Sequence, residues 1–171
     1  MVRGGGSRKG FTLIEIMVVV VIISMVLMIV IPKLPSSDQN NLKNSGRTLA
    51  STLRYLQERA AASGTGYSLT MLPGTEQMKI SEVRGDGSRL EPKDPLLQKS
   101  PIIGGIVVAD VRIPRLGKIT EGEVRVDVGV GGIREFVTIH LQGSSGQFWT
   151  VMAYPSGRKI QQFPGYLEDV P

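Results

Sequence analysis

A continuous apolar run near the N-terminus is the feature that most restricts how this chain can fold. The run extends from Phe11 to Ile31, and its only polar members are Thr12, Glu15 and Ser24. At about 1.5 Å per residue, a helix over this run would measure about 31 Å, enough to cross the roughly 30 Å hydrocarbon core of a bilayer. The sequence therefore predicts a single membrane-spanning helix within residues 11–35.

Among the polar residues of this run, Glu15 is the one whose presence requires an explanation. A carboxylate inside a membrane helix costs roughly 2–4 kcal/mol unless it finds a partner. The preceding residues 1–10 are rich in glycine, carry basic side chains and end in Lys9-Gly10. A basic flank, a glycine, a phenylalanine and then a glutamate one helical turn later indicate a processing site followed by an assembly helix.

Gly10, Phe11 and Glu15 resemble the matching residues of the type IV pilin and type II secretion pseudopilin family. The resemblance implies that residues 1–10 are a leader, which a prepilin peptidase cuts between Gly10 and Phe11 before Phe11 is N-methylated. It also implies that Glu15 pairs with the Phe11 amine of a neighbouring subunit when subunits stack into a filament. Such a pair would offset the cost of burying both charges, and the helix dipole favours an anion in the first turn.

Two simpler readings of the N-terminus explain less of the pattern. An ordinary secretory signal has an apolar core of about 7–15 residues followed by a small-residue cleavage site. Here the run is longer, contains an acid and ends in Pro32-Lys33-Leu34-Pro35. A plain membrane anchor would tolerate Glu15 near the interface, but it does not explain why Gly10 and Phe11 precede the acid.

Charge and cysteine content limit what the rest of the chain can do. The formal net charge of +5 falls to +2 when Arg3, Arg8 and Lys9 leave with the leader. A net charge this small does not indicate a nucleic-acid-binding protein. Before cleavage, the positive-inside rule keeps these charges in the cytoplasm and sends the C-terminal part across the inner membrane into the periplasm. The chain has no cysteine, which excludes disulfides, thiol catalysis and thiolate metal sites.

Residues 36–63 predict an amphipathic helix. Pro32 and Pro35 should interrupt the preceding helix, and Ser36 or Asp38 can cap a restart. Apolar residues then recur at helical spacing on one face, and they are Leu42, Leu49, Leu53, Leu56 and Ala60. The opposite face is assigned the polar residues Lys43, Arg47, Arg54, Gln57 and Glu58. The apolar stripe predicts packing of this helix on a sheet.

Residues 64–171 predict a β-rich domain, because apolar residues alternate between turn signals. The predicted strands are Tyr67–Met71, Gln77–Arg84, Ile102–Ile113, Glu121–Val130, Ile133–Leu141, Phe148–Tyr154 and Arg158–Phe163. The fold class is therefore α+β: a long N-terminal helix, with a transmembrane half and an amphipathic half, packed on a C-terminal antiparallel β-sandwich or curled sheet.

This layout and the final strands resemble the GspH/FimT group of minor pseudopilins. Members often end in two strands joined by a turn with Gly-Arg, which Gly157-Arg158 matches. The aspartate-rich calcium loop of major pseudopilins and the cysteine pair of many pilins are missing, which favours a minor subunit. The resemblance implies a structural subunit at or near the tip of a periplasmic pseudopilus of a type II secretion system. Its partners would be other major and minor pseudopilins, the peptidase, the inner-membrane assembly platform and possible secreted cargo, with loops 91–101 and 144–146 facing them.

Residue types with catalytic or metal-binding potential do not form a site in the sequence. His140, the single histidine, lies on the polar side of a strand and is expected to be exposed or at an edge. Gly143-Ser144-Ser145-Gly146 lacks the spacing of a nucleophile elbow. Asp86, Glu91 and Asp94 lack the spacing of metal ligands. We therefore predict that the protein is not an enzyme and needs no cofactor or metal.

Nucleic-acid binding is the weaker alternative for the C-terminal region. Arg158 and Lys159, with help from Arg112 and Arg115, could form a small basic surface, as some FimT-like minor pilins serve DNA uptake. Trp149 and Tyr154 could stack on bases, although packing in the sheet is at least as good an explanation. The runner-up function is accordingly a minor pilin of a type IV pilus or DNA-uptake system.

Overall fold

The protein divides into two compact units, which are described separately. A computed structural model describes residues 11–30, 37–155 and 159–168. The first unit comprises Met1–Pro35 and the second Ser36–Pro171. Gly10, Gly157 and Arg158, which the sequence singles out, lie outside the described residues.

The first unit contains one described helix, α1, from Leu13 to Val30. Its side chains are apolar around the whole circumference, apart from Glu15 and Ser24. No helix among the described residues is long and apolar enough to cross a membrane. The predicted span continues to residue 35, and residues 31–36 lie outside the described part, so the span remains a prediction.

The second unit begins with helix α2, from Ser37 to Ser63. The predicted apolar stripe is confirmed, since its five residues are all buried: Leu42, Leu49, Leu53, Leu56 and Ala60. Gly64 ends the helix in the left-handed conformation, with φ of 70°, and its N–H donates to the Ala60 carbonyl. The assignment of Gln57 to the polar face is wrong. Gln57 follows Leu53 by four residues, so it shares the inward face and is buried.

Ten strands follow the helix in the described part of the chain, and they form two antiparallel five-stranded sheets. In chain order they are β1 (Gly66–Met71), β2 (Met78–Val83), β3 (Arg89–Leu90), β4 (Ile106–Ile113), β5 (Gly117–Ile119), β6 (Val124–Gly129), β7 (Gly132–Ile133), β8 (Val137–Gly143), β9 (Phe148–Ala153) and β10 (Ile160–Pro164). The first sheet has the order β3-β2-β1-β6-β7, and the second has β10-β9-β8-β4-β5. The α+β class and the antiparallel sheets are thus as predicted.

The core lies where α2 meets the inward faces of the two sheets. The leucines of α2 pack with inward residues of β1 and β6, such as Leu69 and Val126, and of β8, such as Ile139 and Leu141. α2 contacts β8, β9 and β10 of the second sheet as well as β6 and β7 of the first. Because inward and outward residues alternate along a strand, the outward face of the second sheet is left to other segments.

Strand ends and pairings differ from the prediction in ways that depend on long-range contacts. The strand expected over Ile102–Ile113 begins at Ile106, because Ser45 of α2 instead accepts a hydrogen bond from the Ile103 N–H. The strand expected over Ile133–Leu141 is divided between β7 and β8, which lie in different sheets. β1 pairs with β6, and β4 with β8. Such pairings join segments that are far apart in sequence, which local alternation cannot identify.

Candidate assembly sites

The first assembly site is the start of α1, where the residues after the predicted cleavage point form a capped helix end. Thr12 lies just before the helix, and its side-chain oxygen accepts a hydrogen bond from the Glu15 N–H at 3.3 Å. The Thr12 carbonyl accepts from the N–H groups of Glu15 and Ile16. Thr12 therefore acts as the N-cap, and Glu15 occupies the first turn, where the helix dipole favours its charge.

The Glu15 carboxylate is presented without a partner among the described residues. It is the only ionisable side chain of α1, and no described residue donates a hydrogen bond or forms an ion pair with it. All side chains from residue 11 to 28 are exposed, with Phe11 exposed to 79% of its surface. Apart from Glu15 and Ser24 this helix is apolar on all sides, and such a surface is favourable in an apolar environment. The arrangement leaves both the apolar surface and the carboxylate available to other molecules.

The second site is the turn between β8 and β9, which α2 holds by a single carboxylate. Asp38, in the first turn of α2, accepts hydrogen bonds from the N–H groups of Ser144 at 3.1 Å and Ser145 at 2.9 Å. The Ser145 hydroxyl donates to the same carboxylate. The bonds from Ser145, and then those from Ser144, lower the pKa of Asp38 to about 2. This turn thus fixes where α2 starts on the domain.

The third site is the long connection between β3 and β4, which lies along α2. The Tyr55 hydroxyl donates to the Asp94 carboxylate, and this bond lowers the pKa of Asp94 and raises that of Tyr55. Ser45, ten residues earlier on the helix, accepts the Ile103 N–H at 3.0 Å. Leu97 between these two points is buried, whereas Leu96 is 74% exposed. The connection is therefore anchored on α2 while it presents an apolar side chain to solvent.

The chain carries two signatures, one in its sequence and one in its fold. Residues 6–31 match the family model of the prokaryotic N-terminal methylation motif. The structure is similar to a crystal structure of the minor pseudopilin EpsH from the type II secretion system of Vibrio cholerae, with a TM-score of 0.61 and 17% identity. That alignment covers 78% of this chain and 100% of EpsH. The chain has the fold of a minor pseudopilin.

A second structure of EpsH from Vibrio cholerae gives the same result. It aligns with a TM-score of 0.54 and 16% identity, over 72% of this chain and 97% of that one. No curated protein sequence matches the chain. The minor-pseudopilin fold is therefore established by the arrangement of helices and strands, because so little of the sequence is shared.

The terminal hairpin of this fold packs its aromatic residues within the domain. Trp149 is half-buried, lies against Gly46 of α2 and donates its Nε1–H to Gln162 at 3.3 Å. Tyr154 pairs with Phe136, with ring centroids 4.9 Å apart, and the Lys159 ammonium lies 5.2 Å from the Tyr154 centroid. Lys159 is exposed, while its predicted companion Arg158 lies outside the described residues. The described aromatic rings are thus engaged in packing.

The prediction that His140 is exposed or at an edge is wrong. His140 does lie on the outward face of β8, but it is completely buried. Its ring is stacked on Tyr166, with centroids 3.9 Å apart, and bonds to Asp110 and to the Leu167 carbonyl. The reason is that the C-terminal residues fold back over this face. Strand alternation indicates which face a residue occupies and not what covers that face.

One further residue of these candidate sites, Thr12, could have been found in the sequence. Thr12 and Glu15 have the spacing of a capping box, in which a serine or threonine precedes a glutamate by three residues. Asp38 was considered only as a helix cap. Its hydrogen bonds to Ser144 and Ser145 span about a hundred residues of sequence, and no local sequence pattern predicts them.

We expect Asp38→Ala to lower the thermal unfolding temperature of the full chain by several degrees at neutral pH, because two backbone N–H groups lose their acceptor. The folded-state pKa of about 2 lies below the ordinary 3.8, so the ionised carboxylate stabilises the fold above about pH 4. This contribution disappears as the pH falls through about 2. Thermal unfolding measured by circular dichroism between pH 2 and 7 should therefore show the two proteins converging in acid.

Ser145→Ala is the matched control for this prediction, since it removes one hydroxyl and leaves both backbone N–H groups bonded to Asp38. Its loss of stability should be clearly smaller than that of Asp38→Ala. An Asp38→Ala protein with unchanged stability at neutral pH would show that the turn does not depend on this carboxylate.

Proposed function

We propose that this chain is a minor pseudopilin of a type II protein secretion system. In this role it is a structural subunit, at or near the tip of a short periplasmic filament that drives folded proteins across the outer membrane. The observation that carries the proposal is the combination of the two signatures. A methylation motif over residues 6–31 precedes a domain that has the fold of EpsH over the full length of that protein.

The proposed life cycle starts at the inner membrane. The leader remains in the cytoplasm through its basic residues, residues 11–35 cross the membrane once, and the domain from residue 36 enters the periplasm. The peptidase cuts between Gly10 and Phe11, and Phe11 is then N-methylated. The apolar side chains of α1, which are exposed up to residue 28, support a role in lateral packing with the helices of other pseudopilins.

The proposed role of Glu15 is to set the axial position of the subunit. Its carboxylate has no described partner and lies in the first turn of a helix that is otherwise apolar. Once that helix is surrounded by other apolar helices, an unpaired carboxylate is strongly unfavourable, whereas a neighbouring Phe11 amine neutralises it. Only one axial shift between subunits brings the two charges together. The assembly platform and other major and minor pseudopilins are accordingly the partners of this chain.

Deletion of the gene in its host tests the function directly. We expect release of the secreted enzymes into the medium to fall to near background while surface pili remain, because the filament that drives export cannot form. Enzyme activity in the medium and pili on the same cells should be measured together, with the wild-type gene restored as the control. Loss of pili, twitching or DNA uptake with normal release would instead assign the chain to a type IV pilus or DNA-uptake system.

A further inference from the structure

The last described residues form a strap over the outward face of the second sheet. We use this name for residues 164–168. The strap N–H of Gly165 donates to the Phe148 carbonyl at 2.8 Å. The Thr150 hydroxyl donates to the Gly165 carbonyl at 2.7 Å and accepts the Leu167 N–H at 3.1 Å. The strap begins at the last residue of β10 and is held mainly by hydrogen bonds to side chains and backbone of β9.

His140 lies beneath the strap and bonds to an oxygen atom on each side of its ring. Nδ1 is 2.7 Å from the Asp110 carboxylate, and Nε2 is 2.9 Å from the Leu167 carbonyl. A carbonyl can only accept a hydrogen bond, and so can an ionised carboxylate, whereas a neutral imidazole carries one N–H. Both contacts are satisfied only when the His140–Asp110 pair holds two hydrogens. With one hydrogen fewer, a nitrogen lone pair faces an oxygen at hydrogen-bond distance in a buried site, which is repulsive.

We propose that the strap is a latch that the proton shared by the buried His140–Asp110 pair holds closed. While the pair keeps this proton, His140 donates to Leu167 and the strap covers the sheet. When the pair loses the proton as the pH rises, the bond to Leu167 or the bond to Asp110 is replaced by a repulsion, and the strap loosens. Its release uncovers outward side chains that lie beneath it, among them His140 of β8 and Thr150 of β9.

The charged groups around the His140 ring are compatible with a strap that loosens as the pH rises. β4 contributes Asp110 and also Arg112, whose Nη1 donates to the Glu168 carbonyl at the end of the strap. β5 contributes Lys118, whose ammonium lies 3.6 Å from Asp110 and 5.0 Å from the Tyr166 ring centroid. The hydrogen bond with Tyr166, and then the charge of Asp110, raise the pKa of Lys118. Lys118 therefore keeps its charge as the pH rises.

The single histidine of the chain makes the latch directly measurable. In the full chain in detergent micelles, labelled with ¹⁵N-histidine, NMR reports how many hydrogens the ring carries at each pH. Hydrogen exchange of the Gly165 and Leu167 amides, expressed as protection factors, reports the strap. We expect a hydrogen on Nε2 in the closed state and a fall in protection of about tenfold or more as the pair loses its proton, with the same midpoint. The Leu69 amide of β1 should keep its protection throughout this range.

Two results would overturn the proposal. One is an Nε2 that carries no hydrogen while the strap is protected, and the other is a pair that loses its proton with no change in the exchange of Gly165 and Leu167. His140→Gln adds a second test, because an amide does not titrate in this range and the pH dependence of strap exchange should vanish. The measurement on the unmodified protein is decisive even if this variant fails to fold. The latch is a property of the domain, so its failure would leave the proposed role in secretion unaffected.

Discussion

Replacement of Glu15 by alanine is expected to leave leader cleavage intact and to abolish incorporation of the chain into the filament. Under the proposed function, cleavage depends on the residues around Gly10 and Phe11, which the substitution does not touch. Assembly would depend on the charge, since without it the Phe11 amine of a neighbour would face no anion in the apolar surroundings of packed helices. An unpaired buried charge of this kind costs about 3–5 kcal/mol, enough to reduce incorporation by two orders of magnitude or more.

Mass spectrometry of the N-terminus and cross-linking of intact cells would separate the two steps. The alanine variant should show a cleaved chain that begins at Phe11 and gives no cross-links to other pseudopilins. Glu15→Gln keeps the shape without the charge and should fail in the same way. Gly10→Ala should instead leave an uncut precursor in the membrane, and Thr12→Ala should weaken the helix start by about 1 kcal/mol while assembly continues. Normal assembly of the alanine variant would refute the axial role of Glu15.

Substitution of Gly46 is expected to give the largest loss of stability in the domain. Gly46 lies in the buried face of α2, and a Cβ atom there would come within 2.2 Å of Trp149 Cδ1 and 2.3 Å of Nε1. The indole is held between α2 and β10 by its bond to Gln162, so it cannot move without loss of packing. Gly46→Ala should destabilise the fold by about 1–3 kcal/mol through overpacking, and Gly46→Leu should prevent folding.

The control for this prediction is the same substitution in a protein that lacks the indole. In a helix without the clash, alanine is more favourable than glycine by about 1 kcal/mol. In a Trp149→Ala protein, Gly46→Ala should therefore stabilise the domain, so that the effect changes sign with the partner. Denaturant unfolding of the four proteins would give the coupling energy between the two positions. Equal effects of Gly46→Ala in both backgrounds would show that the indole does not limit this position.

The opposite signs expected in the two backgrounds illustrate why a local reading of α2 is incomplete. Helix propensity alone marks Gly46 as a weak point that alanine would improve. The indole of Trp149, about a hundred residues away in sequence, leaves no room at this position for a side chain larger than that of glycine. In the same way, Gln57 was placed on the polar face by its chemistry, whereas its distance of four residues from Leu53 placed it in the buried one.

The features that depend on neighbouring residues were determined by the sequence itself. The motif Gly10-Phe11 and Glu15 stands within one short segment, the leucine stripe of α2 follows the helical period, and most strands follow the alternation of two. The α+β class and the antiparallel sheets follow from these local patterns.

Only the tertiary structure decided what covers each surface and which strands are neighbours. β1 joins β6, Asp38 binds the turn at Ser144 and Ser145, and the strap buries His140 on a face that alternation assigns to solvent. Each of these contacts joins segments that are distant in sequence. Their free energy depends on packing and hydrogen bonds that form only when the whole domain folds, so they cannot be predicted from a local sequence pattern.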